Sequence, residues 1–227
     1  MKLCVALDLA TERENLAIVE QLNGLDLWFK IGLRSFIRGG WEFVETVQRT
    51  GETPIFLDLK LHDIPNTTAD AALEIADRGV EMFNLHATVG KKAMSLTMER
   101  LGGRSKRPIV LAVTALTSFA PREFEAIYGR SIDGMARSMA LDAHQSGLDG
   151  VVCSVYESVA IKAATGERFL TLTPGIRPAN AVADDQARVA TPSDARSAKA
   201  DFIVMGRPII GAKDPREIAS TVLGAIV

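Results

Sequence analysis

The chain has 227 residues, 47% of them hydrophobic and 24% charged, with 26 Lys plus Arg against 28 Asp plus Glu for a formal charge of −2. That length suits one α/β barrel or two small domains. The near-even charge argues against a nucleic-acid or membrane-surface protein, since both need a basic face.

In chain order, short apolar runs alternate with helical patterns. A strand at 3–9 opens the chain and meets Asp8, with no signal-peptide core before it. Thr11 with Glu14 three positions on has the pattern of a capping box and opens a helix at 12–22. Strands at 27–33, 54–61, 82–87 and 109–116 follow, with helices at 41–50, 67–78 and 91–101 between them. A long segment, 117–133, carries a short helical stretch of its own and leads into a helix at 134–145. The last units are a strand at 150–155 with a helix at 157–164, a strand at 169–176, and a strand at 202–205 with a closing helix at 215–226. Between the last two strands lie a polar segment at 177–192, containing two prolines, and a helix at 193–199. Gly51, Gly79 and Gly147 stand where helices should stop. Cys4 and Cys153 sit inside the apolar runs 3–7 and 151–155, as buried small hydrophobes rather than a disulfide or metal pair. No apolar stretch approaches the ~20 residues of a membrane span, so the expectation is a cytosolic protein.

Strands that each lead into a helix imply parallel strands with helical crossovers. No linker or composition break divides the chain, and no GxGxxG turn follows the first strand, which weighs against a doubly wound dinucleotide-binding sheet. The expected architecture is a single (β/α)₈ barrel over residues 1–227. Long ordered segments such as 117–133 and 177–192 often serve as lids or binding loops.

The third strand is the most informative. By the two-residue period of a strand, Ile55, Leu57, Leu59 and Leu61 share one face, and Phe56, Asp58, Lys60 and His62 share the other. The second strand repeats this, with Leu27, Phe29 and Ile31 against Trp28 and Lys30. In a closed barrel the second set fills the interior, so Asp8, Lys30, Asp58 and Lys60 gather near the C-terminal rim where such barrels place catalysis. A structural ion-pair network is the plain alternative. Burying several charges is costly unless they are well paired, and that favours function.

The second half points to an anion. Thr173-Pro174-Gly175-Ile176-Arg177 ends the seventh strand and Met205-Gly206-Arg207-Pro208 the eighth. In these barrels the loops after strands seven and eight frequently bind phosphate, with Gly admitting backbone amides and Arg supplying a bidentate fork. A metal centre fits less well. His62, His86 and His144 do not have ligand spacing, His144 falls on an exposed helix position, and the acid cluster is interleaved with lysines that repel a divalent cation. No Gly-flanked nucleophilic Ser or Walker loop is present.

Asp58-Leu-Lys60-Leu-His-Asp63-Ile64-Pro65-Asn-Thr67 resembles the DxKxxDIPxT signature of the orotidine 5′-phosphate decarboxylase family. The similarity runs the length of the chain, through Val5-Ala6-Leu7-Asp8, Phe29-Lys30-Ile31-Gly32, Ala112-Val113-Thr114, the 173–177 run, Asp185-Gln186 and Val204-Met205-Gly206-Arg207. The resemblance implies a decarboxylase that converts orotidine 5′-monophosphate (OMP) to UMP without metal or other cofactor. Lys30, Asp58, Lys60 and Asp63 would form the charged catalytic array, with Asp63 and Thr67 entering the active site of a neighbouring subunit in a homodimer. Asp8 would bind the ribose, Thr114 the pyrimidine, and Pro174 would pack beside the base. Gln186, Gly206 and Arg207 would hold the phosphate; Arg177 follows the family pattern without an assigned contact. Lys60 would stabilise the C6 carbanion and supply its proton, with ground-state repulsion from Asp58 secondary, and 177–192 would be the lid.

Two other readings compete. Mg²⁺-dependent sugar-phosphate decarboxylases and synthases of the same superfamily resemble this chain, but carry a Glu where Lys30 stands. A non-catalytic phosphometabolite-binding barrel would need Arg207 and the glycines, but not the interior Lys–Asp array.

Overall fold

Period-two alternation on eight short strands organises the molecule. In the computed structural model, which describes residues 1–51, 53–177 and 188–226, the chain order is β1 (Lys2–Ala6), α1 (Glu12–Leu22), β2 (Trp28–Gly32), α2 (Leu33–Thr50), β3 (Ile55–Leu61) and α3 (Pro65–Asp77). It continues through β4 (Met82–His86), α4 (Lys91–Leu101), β5 (Ile109–Val113), α5 (Pro121–Tyr128), α6 (Ile132–Gln145), β6 (Gly150–Val152) and α7 (Val155–Thr165). The last elements are β7 (Leu170–Thr173), α8 (Pro192–Ser197), β8 (Phe202–Met205), α9 (Arg207–Ile210) and α10 (Pro215–Ile226). Every strand pairs in parallel with its sequence neighbour, and β1 closes the ring on β8 in the register Lys2↔Phe202 and Val5↔Met205. The (β/α)₈ barrel expected from the sequence is the fold.

Parity then divides the apolar residues into two bodies. Leu3, Val5, Phe29, Ile31, Ile55, Leu57, Phe83 and Val110 point outward and pack with the apolar stripes of the helices. Cys4, Ala6, Phe56, Met82, Leu111, Val113, Val152, Leu172, Phe202 and Val204 fill the barrel. Trp28 meets Phe202 edge to face at 5.4 Å, closing the interior near the start of those strands. Along β8 the inward positions then shrink from Phe202 through Val204 to Gly206, leaving room at the C-terminal rim. Cys4 and Cys153 are buried and unbridged, and burial pushes both thiols up.

Helix ends follow local chemistry. The Thr11 hydroxyl accepts from the Glu14 amide at 3.2 Å while the Glu14 carboxylate accepts from the Thr11 amide at 2.8 Å, forming the expected capping box. Ser154–Glu157 and Thr191–Asp194 make two more. The helix expected at 41–50 begins earlier, at Leu33, because α2 is two helical pieces joined at Gly40, whose φ of 54° breaks the period. The strands expected to reach Leu9, Leu116, Val155 and Ile176 end sooner, at Ala6, Val113, Val152 and Thr173; Val155 instead opens α7, and Ile176 makes an isolated bridge to Ala190. The 117–133 segment does contain its own helix, α5, and Phe124 packs there with Ala115 and Ile132. Among the described residues, no helix is long and apolar enough to cross a membrane.

Candidate active site

A cavity of about 520 Å³ opens at the C-terminal rim. Its charged wall comes from β1, β2 and β3. Asp58 sits at the centre: Oδ1 accepts from Lys60 Nζ at 2.6 Å, and Oδ2 lies 3.2 Å from Lys30 Nζ. Lys30 in turn lies 3.5 Å from Asp8. The result is an alternating chain, Asp8–Lys30–Asp58–Lys60, with Lys30 buried and Lys60 the more open of the two lysines. Gly32 makes room for it, since a Cβ there would stand 2.9 Å from Lys30 Nζ.

Burial by itself would raise the Asp58 carboxyl. Lys30 and Lys60, with hydrogen bonds from Lys60 and Asn84, outweigh it and hold the group at about 2. Burial likewise opposes the charge on Lys30, but Asp58 and Asp8 prevail and raise its pKa. Lys30 and Asp58 therefore hold each other charged despite their burial.

Another part of the wall is built by the loops after β7 and β8, the latter next to β1. Pro174, Gly175, Ile176 and Arg177 line it together with Gly206, Arg207 and Pro208. Gly175 has φ 79°, a left-handed turn that suits glycine and swings the chain over the rim. Both flanks of the 178–187 segment are fastened. Ile176 bridges Ala190, the Arg188 amide donates to the Thr117 carbonyl at 3.3 Å, and the Arg188 guanidinium pairs with the buried Glu157 carboxylate.

Asp8, Lys30, Asp58, Lys60, Pro174, Gly206 and Arg207 all line this one cavity. Thr114 does not. Parity on β5 turns Val113 inward and Thr114 away, and the Thr114 hydroxyl donates to the Val152 carbonyl at 3.1 Å. The pyrimidine contact expected of Thr114 is not matched by a place on the cavity wall, which Thr117 and Ser118, at the start of the long segment, line. Asp63 and Thr67 are exposed and lie outside their own chain's cavity, where the Asp63 carboxylate accepts from the Ile64 amide at 2.7 Å. Gln186 lies outside the described residues. Arg34, which donates to the Asp8 carbonyl at 3.0 Å and lines the cavity, was not singled out by the sequence reasoning. Neither was Asn84. It is fully buried and hydrogen-bonded to Asp58, and a lone amide on the inward parity of an apolar strand was its available signal.

The profile of the Orotidine 5′-phosphate decarboxylase / HUMPS family matches residues 1–222. The chain belongs to that family. It is 52% identical over 226 residues to the orotidine 5′-phosphate decarboxylase of Campylobacter concisus (strain 13826), covering 100% of both chains. It is 54% identical over 227 residues to that of Sulfurimonas denitrificans, again covering 100% of both. The crystal structure of orotidine 5′-phosphate decarboxylase from Lactobacillus acidophilus superimposes with a TM-score of 0.85 at 33% identity, over 99% of this chain and 98% of that one. The family's name spans more than one activity, so the cavity residues carry the choice between them.

Proposed function

We propose that this chain decarboxylates OMP to UMP in pyrimidine synthesis, acting as a single catalytic domain in the cytosol. The observation that carries the reading is the Lys60 ammonium, 2.6 Å from Asp58, in the same cavity as Gly206 and Arg207. With the substrate phosphate held by Gly206, Arg207 and Gln186, the pyrimidine extends toward the charged wall, with Asp8 at the ribose and Pro174 beside the base. Arg207 contributes a planar fork suited to phosphate.

The chemistry balances within this residue set. The C6–carboxylate bond breaks, CO₂ departs, and the electron pair stays at C6. Lys60 stabilises the developing carbanion and passes a proton from Nζ to C6, giving UMP. Its amine then regains a proton from solvent. Asp58, already engaged by Lys30 and Lys60, orients the donor, and its repulsion of the substrate carboxylate is secondary. Phosphate contacts distant from C6 supply binding energy that is expressed at the transition state.

Lys30 favours this reading over a Mg²⁺-dependent sugar-phosphate enzyme. An ammonium between Asp8 and Asp58 repels a divalent cation where that chemistry needs a carboxylate. Purified protein mixed with OMP should therefore convert it at full rate after exhaustive chelation, followed by the pyrimidine absorbance. Loss of activity with chelator and its return with Mg²⁺ would transfer the assignment to the sugar-phosphate enzymes.

Arg207→Ala should lower kcat/KM for OMP by roughly 10²–10³-fold, the scale of a lost charge-assisted anion contact. Reaction of the phosphate-free nucleoside should hardly change. Equal loss on both substrates would remove the phosphate role from Arg207.

Asp63 and Thr67 belong, in this reading, to the neighbouring active site of a homodimer. Their exposure beside Ile64, itself 67% exposed, supports it, as do the exposed Leu33 and Ile37 where α2 leaves the same rim.

A further inference from the structure

Lys60 is the sole non-glycine residue of the described cavity wall with a positive φ, 54°. That turn coincides with a break in the β3–β4 register between Leu57 and Leu61 and removes the Lys60 amide from the ladder. An L residue rarely holds this conformation unless the surroundings impose it. Asn84, wholly buried on the neighbouring strand, meets the displaced amide: its Oδ1 accepts from Lys60 N at 2.7 Å. Its Nδ2 donates to Asp58 Oδ1 at 2.7 Å, the same oxygen that accepts from Lys60 Nζ. Rotating the carboxamide by half a turn would set oxygen against carboxylate and NH₂ against N–H, so its orientation is fixed by both partners.

We infer that Asn84 is a positioning residue for decarboxylation: one carboxamide holds the Lys60 backbone and the Asp58 carboxylate together, and thereby aims the Lys60 ammonium into the cavity. The inference rests on the role proposed for Lys60. The clamp is uncharged, so it holds Asp58 without competing with either lysine for the carboxylate's charge. Ordinary strand pairing would leave Lys60 in extended backbone, its ammonium directed differently. The titratable groups around this position are Asp58 and Lys60 from β3, Lys30 from β2 with Asp8 behind it, and His86 two residues on in β4. On the β5 side the inward residues Leu111 and Val113 are apolar.

Asn84→Ala should lower kcat for OMP by about 100-fold, the cost of displacing a reacting group by about 1 Å. KM and UMP affinity should stay near wild type, because the phosphate wall is untouched. Asn84→Asp supplies a readout that loss of packing would not give. When protonated, the introduced carboxyl can donate to Asp58 and accept from Lys60 N, as the amide does; when ionised, it repels Asp58. The ratio of its kcat to that of wild type should therefore rise as pH falls from about 8 to about 5. If Asn84→Ala folds poorly by UMP binding, this ratio decides the matter. A kcat for Asn84→Ala within about threefold of wild type, or a ratio flat with pH, overturns the inference. Lys60→Ala run in parallel separates the two claims. Retained activity there removes the role of Lys60 and the clamp with it, whereas activity lost there but kept in Asn84→Ala overturns the clamp alone.

Discussion

Lys60→Ala should reduce OMP turnover by roughly 10⁴-fold or more. Preorganised charge stabilisation is worth ~10²–10³ and a positioned proton donor ~10²–10⁴, and in the proposed mechanism this one side chain supplies both. The protein should still fold. Asp58 keeps Lys30 and the Asn84 amide as partners, and Lys60 is half-buried rather than part of the packed interior. UMP binding should persist, since the proposed phosphate contacts at Gly206 and Arg207 are left intact. Lys60→Arg sharpens the assignment: guanidinium retains a positive charge but surrenders a proton too reluctantly to serve as donor. It should stay near the alanine variant if proton delivery is required, and recover most of the activity if charge alone suffices. Single-turnover measurements on protein from a host lacking its own decarboxylase would check this. A Lys60→Ala enzyme within tenfold of wild type would end the assignment.

The charged wall was legible because strand parity is strict. Once β2 and β3 were read with period two, Lys30 and Asp58 had to share the barrel interior, and the structure puts them there; Lys60 lines the same cavity, but through a left-handed turn past the regular ladder. Which acid meets which lysine was not legible, since pairing depends on strand register and on Gly32 leaving space for the Lys30 ammonium. Parity and motif point different ways at Thr114. The same alternation that turns Leu111 and Val113 inward turns Thr114 outward, against the contact the family resemblance implied. Asn84 and the left-handed Lys60 depend on a register break that no periodic pattern encodes. The first half of α2 was hidden for a local reason: Gly39 and Gly40 interrupt the helical period, and weak helix formers read as a stop.

Mixing two dead variants should restore activity. In the proposed dimer Lys60 works in its own chain's cavity, while Asp63 reaches the partner's. Lys60→Ala and Asp63→Asn chains should each form homodimers with no intact site, so each parent is nearly inactive. In the mixed dimer the Asp63→Asn chain retains Lys60 and receives an unaltered Asp63 from the other chain, which completes one site, while the second site lacks both groups. Random reassociation of equal amounts makes about half the dimers mixed, each with one good site of two, so activity should return to about a quarter of wild type by two-fold symmetry. Such a recovery from near zero is a large signal, and additive effects within one chain cannot produce it. The chains must be co-expressed or dissociated and remixed, with heterodimer formation verified by differential tags. The geometry of the single chain is compatible with this arrangement: Asp63 is exposed, outside its own cavity, and bonded only to the adjacent Ile64 amide among the described contacts of its side chain. If verified heterodimers remain as inactive as their parents, Asp63 does not cross the interface, and the charged array of each site is confined to Asp8, Lys30, Asp58 and Lys60 of one chain.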